Sequence, residues 1–108
     1  MLQEAYNVME IEEASKRLGM PEEIVIKIAK KFLMGDTLAA LKLALTENNQ
    51  EGCKRHLHTV KGAAANVGLT GLSQFAAIHE ENIKKNVPFT KAHLAILEGL
   101  WEEVIATI

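Results

Sequence analysis

The chain has 108 residues, 48% hydrophobic and 24% charged, a balance that suits one domain with a modest core and excludes a disordered or fibrous chain. Twelve basic against fourteen acidic residues leave a net charge of −2. A nucleic-acid binder would carry a concentrated basic patch, so no nucleic-acid partner is expected. The single cysteine, Cys53, excludes an internal disulfide and a Cys-based zinc site.

Residues 1–20 carry Glu4, Glu10, Glu12 and Glu13 and lack the apolar core of a signal peptide. No apolar run approaches membrane-spanning length, and a cytoplasmic protein is the simplest expectation. With only two prolines, the spacing is helical almost throughout, and "IVI" at 24–26 is the lone strand-like run.

The first helix is "MEIEEASKRLG", with Ile11, Ala14 and Leu18 on one stripe and Gly19 as its stop. Pro21 stands where a first helical residue belongs, and Glu22 and Glu23 follow at the positive end of the second helix. That helix should turn Val25, Ile28, Ala29 and Phe32 inward. Gly35-Asp36 marks a break, after which Leu38, Leu41 and Leu45 keep the same spacing. "ENNQEG" is a polar turn in which Asn48 or Asn49 can cap the next helix.

That helix holds "HLHTVKGAAANVG" and stops at Gly68. Thr70 can cap its successor, whose stripe is Leu72, Phe75, Ala76, His79 and Ile83, with lysines in "KKNVP" at the negative end. Thr90 can cap the last helix, with its stripe of Leu94, Leu97, Trp101, Val104 and Ile108. Spacings of three and four residues are those of helices packed lengthwise, so the expected fold is all-α. It is an antiparallel bundle forming a single domain over 1–108.

At about 100° per residue, Cys53, Leu57, Val60, Ala64 and Val67 fall within about 80° of arc and form the buried stripe. His58 points outward and shares its face with Lys61, Gly62 and Ala65. His56 is about 160° from His58, so the two cannot converge on one metal ion. None of the four histidines makes an i, i+4 ligand pair, and no metal site is expected.

A glycine in a helix interior costs roughly 1 kcal/mol relative to alanine, yet Gly62 is followed by three alanines. On an exposed face the reason is clearance: another molecule can approach His58 closely. Lys61 adds a cation one turn from the ring, suited to a phosphoryl group on its nitrogen. Taken alone, His58 would read as a solvated surface histidine and Lys61 as a solvated charge. Their register with Gly62 and Gly68 favours phosphoryl chemistry. Gly68 and Gly71 read as structural, His56 as helix-flank packing, His79 as a partly buried histidine and His93 as a surface one. Cys53, Phe32, Phe75 and Trp101 read as core. Lys54 and Arg55 lie on the exposed side before the motif and could steer an acidic partner, although a solvated role suits them as well.

"HTVKGAAANVG" resembles the signature of histidine-containing phosphotransfer domains, His-x-x-Lys-Gly followed by small residues and a later glycine. The helix order, and the run Leu72, Phe75, Ala76 and Glu80, resemble that family over essentially the whole chain. His79 departs from it, because members commonly carry an apolar residue there. The resemblance implies an antiparallel four-helix bundle with an additional short N-terminal helix. His58 would accept the phosphoryl group, Lys61 would stabilise it, and Gly62 with Ala65 would leave room for the partner.

The resemblance further implies a carrier in two-component signalling that exchanges phosphate with response-regulator receiver domains and a hybrid histidine kinase. It would have no cofactor of its own, the magnesium ion being the receiver's. The sequence shows no Gly-rich phosphate loop or kinase-type acidic cluster, so the chain is read as no enzyme and as a monomer. Two alternatives stand beside this reading: a helical interaction module that is not phosphorylated, and the phospho-accepting domain of a chemotaxis-type kinase. Met1 close before the first helix fits a stand-alone carrier, and a domain excised from a larger kinase would read the same.

Overall fold

A computed structural model describes residues 9–108; Glu4 and the first eight residues of the expected domain lie outside them. Six helices and no strand run through the described residues: α1 (Ile11–Leu18), α2 (Glu22–Leu33), α3 (Thr37–Thr46), α4 (Gln50–Asn66), α5 (Thr70–Lys84) and α6 (Lys91–Thr107). None is long and apolar enough to cross a membrane.

The most extensive packing joins α4 to α5, with α3 against α4 and α1 against α2. Helix α6 closes the core against α2, α3 and α5. Leu41, Leu57, Leu72, Leu97 and Leu100 are almost wholly buried where these helices meet. Trp101 Nε1–H donates to the Leu33 carbonyl at 2.8 Å, and its ring centroid lies 5.2 Å from that of Phe32. One side chain thus satisfies a carbonyl at the end of α2 while filling the core beside it.

Local chemistry sets the joints. Gly19 has φ 66° and ends α1, as its sequence position suggests. Asn49, rather than Asn48, caps α4: its side chain accepts from Gly52 N–H at 2.9 Å, and Asn48 takes the left-handed turn with φ 55°. Thr90 caps α6 in a reciprocal box with His93. Gln50 receives the Phe89 N–H and donates to the Phe89 carbonyl, both at 2.9 Å. Phe89, 1% exposed, is thereby held in the core from a loop.

Four expectations need correction. Pro21 is the N-cap of α2 and not its first residue. Thr70 is the first residue of α5, and Leu69 is the cap, without a side-chain bond. The Thr70 hydroxyl faces the Glu10 carboxyl instead, offsetting part of the rise in proton affinity that Glu13 causes there. Ile28 lies outward at 38% exposure, because α2 carries more apolar residues than its neighbours cover and buries the Val25, Ala29 and Leu33 stripe. His93 is half-buried rather than a surface residue, its ring centroid 4.4 Å from that of His79.

Candidate functional site

Helices α4 and α5 fold back on each other about a short turn at Val67–Leu69. Gly68 fits that turn for two reasons: its φ is 79°, and a side chain there would strike the Glu10 backbone. Ser73 Oγ–H donates across the hairpin to the Lys61 carbonyl at 2.9 Å, fixing how the two helices register. His58 lies eleven residues before Leu69 and Glu80 eleven after it, so the hairpin sets them opposite each other.

Their side chains meet. His58 Nδ1 is 2.8 Å from Glu80 Oε2, and Lys61 Nζ is 2.7 Å from Glu80 Oε1. The Glu80 side chain is 7% exposed and that of His58 is 68% exposed. Lys84 Nζ stands farther off, 3.9 Å from Glu80 Oε2. Burial alone would push the Glu80 carboxyl up; the hydrogen bonds and charges of Lys61 and His58 outweigh it and hold the group below its ordinary value. Glu80 is therefore a carboxylate at neutral pH and can only accept. The proton of a neutral His58 then sits on Nδ1, donated to Glu80, and Nε2 carries the lone pair into solvent.

The other expected site residues fall on the same face. Gly62 is exposed, and no atom lies within 4 Å of where its Cβ would be. Ala65 is also exposed. Lys61 does not point freely at solvent: its ammonium is engaged by Glu80. His56 is half-buried away from this face. His79 packs among Phe75, Phe89 and His93, where burial and then the charge of His93 lower its proton affinity. Cys53 is wholly inside, and burial pushes its thiol up. Among the described residues no group of three or more His, Cys, Asp or Glu gathers as a metal site.

Glu80 is the residue that sequence reasoning left without a role. Its signal was present: a carboxylate at the edge of the apolar stripe of α5, as far from Leu69 as His58 is. Only the hairpin turns that symmetry into contact.

The fold and site define an all-helical protein that presents a carboxylate-held histidine to solvent. The family model of the Hpt domain matches residues 33–107, and the chain belongs to that histidine-containing phosphotransfer family. Membership gives it a phosphotransfer role in two-component signalling and interaction with receiver domains and histidine kinases. The comparisons with curated proteins and with solved structures returned no match. Helix α1 and nearly all of α2 precede the matched segment.

Proposed function

We propose that the chain is a phosphorelay intermediate in which His58 accepts a phosphoryl group from a receiver's aspartyl phosphate and donates it to another receiver. The observation that carries this reading is the buried Glu80 carboxylate 2.8 Å from Nδ1 of a ring that remains solvent-facing. That contact leaves Nε2 as the nucleophile.

In the transfer, the Nε2 lone pair forms the N–P bond as the bond from phosphorus to the aspartyl oxygen breaks. The electron pair of that bond returns to the receiver's carboxylate. Nδ1 keeps its proton, so positive charge develops on the ring beside the fixed negative charge of Glu80, a preorganised form of electrostatic stabilisation. Lys61 stabilises the transferred phosphoryl group and shares itself with Glu80 in the resting protein. Gly62 and Ala65 give the receiver its approach.

The magnesium ion that accompanies transfer is the receiver's, and this chain contributes no cofactor or nucleotide site. We read the fold as the antiparallel four-helix bundle, with α2 and α3 together as one leg, α4, α5 and α6 as the others, and α1 as the extra N-terminal helix. The protein is taken as a single-domain, cytoplasmic monomer.

The test is transfer from a receiver carrying radiolabelled aspartyl phosphate. Acid-labile, base-stable label on this chain supports the reading. No label from any of several active receivers would leave a helical interaction module in its place.

A further inference from the structure

We propose that the face on which this chain receives a receiver domain runs beyond His58 in both directions and is polarised in charge. Its cationic end is Arg55 of α4 and its anionic end is Glu13 of α1, so that it admits the receiver in one orientation. The inference rests on the reading of His58 given above.

Two open clefts flank the imidazole. One, of about 390 Å³, is lined by Lys54, Arg55, His58, Thr59 and Glu80. The other, of about 480 Å³, is lined by Glu13, Arg17, Gly62, Ala65 and Asn66. Gly62, with empty space where a side chain would stand, forms the edge of the second cleft nearest His58 along α4. At 1.5 Å rise per residue, Gly62 is about 6 Å and Ala65 about 10 Å along α4 from His58. A specific complex covers about 800 Å² on each partner, a disc of roughly 16 Å radius. A receiver centred on His58 therefore lies over both clefts.

Helix α1 is fixed to this face. Glu10 N–H donates to the Gly68 carbonyl at 2.7 Å, and Arg17 Nη2 donates to the Ala65 and Asn66 carbonyls at 3.3 and 3.2 Å. The guanidinium thus keeps its charge turned to the negative end of α4, and Glu13 is the acidic residue that lines the cleft. Glu12 is tied to Lys16 at 3.2 Å. Glu10 stands beside Glu13, whose hydrogen bond and negative charge raise the Glu10 carboxyl above its ordinary value. At the opposite end Lys54 is tied to Glu51 at 2.9 Å, and Arg55 is exposed.

The phosphoryl oxygens that a receiver brings to His58, partly offset by its magnesium ion, favour the cation that Arg55 sets in the cleft it shares with His58. The complementary group over Glu13 is a cation on the receiver's rim. Such rim charges set orientation and association rate more than total affinity.

The experiment measures transfer from a labelled receiver, at rising receiver concentration, with wild type, Arg55→Glu and Glu13→Lys. Each reversal should raise the half-saturating receiver concentration about fivefold at low salt and less at high salt. The maximal rate and the melting temperature should hold. No shift for either variant, a shift for Arg55→Glu alone, or a fall in maximal rate without a shift would overturn the proposal. Wild type is also treated with phosphoramidate, a small phosphoryl donor that needs no docking face. Label from phosphoramidate and the receiver, with both variants matching wild type, would reject the polarised face and keep the carrier. Failure of wild type with both donors would reject the reading of His58 itself, and the proposal with it.

Discussion

Replacing Glu80 by glutamine tests the electrostatic part of the site. The carboxylate makes two charge-assisted contacts, 2.8 Å to His58 and 2.7 Å to Lys61. Hydrogen bonds involving charge contribute about 1.5–3 kcal/mol against about 0.5–1.5 for neutral ones, so an amide of the same shape weakens each by about 1–1.5 kcal/mol. In the resting protein water screens the exposed partners, and the loss of stability should stay near 1 kcal/mol. During transfer the receiver excludes that water while the ring gains positive charge. There the full loss of about 1–1.5 kcal/mol at the His58 contact applies, and transfer should slow roughly tenfold.

Single-turnover transfer from a labelled receiver measures this, with the melting temperature taken in parallel. A rate within twofold of wild type would refute the role given to Glu80. The same group predicts a pH effect. Because its carboxyl is held below the ordinary value, its contribution is present above the unfolded pKa. It should be lost as the pH falls below about 5, and Glu80→Gln should show less acid destabilisation.

Further expectations concern the core, the clearance and the second histidine cluster. Leu57 is wholly buried, and Leu57→Ala should lower stability by about 2–5 kcal/mol in denaturant unfolding; a loss below about 1 would contradict its place in the core. Gly62→Ala should raise stability by up to about 1 kcal/mol, whereas Gly62→Gln should slow transfer, and unchanged transfer in that variant would remove the clearance argument. His79, with its proton affinity lowered by burial and by His93, favours the folded state above its unfolded pKa near 6.5 and less as the pH falls. The melting temperature of His79→Leu should therefore vary less between about pH 7.5 and 5.5 than that of wild type; equal slopes would show that His79 does not carry the effect.

The helices and the exposed face of α4 were legible in the sequence because both follow from a single periodicity. Cys53, Leu57, Val60 and Ala64 fall on one stripe and are buried, and His58 must then face out. Caps were legible where side chain and backbone agree, as at Thr90. They were not where a tertiary partner competes, as with Thr70 and Glu10. The inward face of α2 was misjudged because its apolar residues span more arc than its neighbours cover. Phe89 escaped notice because a loop carries no period, and Gln50, at the start of α4, because its partner stands in that loop. Glu80 escaped for a different reason: its role exists only between two helices, and one-helix periodicity says nothing of what stands opposite.

The proposed carrier of the phosphoryl group is His58 and no other histidine. The direct measurement is transfer from a radiolabelled receiver to wild type, His58→Gln and His56→Gln, with helicity and melting temperature recorded for each. Acid-labile label is expected on wild type and on the His56 variant, none on the His58 variant, with folding intact throughout, since the His58 side chain is 68% exposed. Label retained by His58→Gln would contradict it, as would a large fall in its melting temperature.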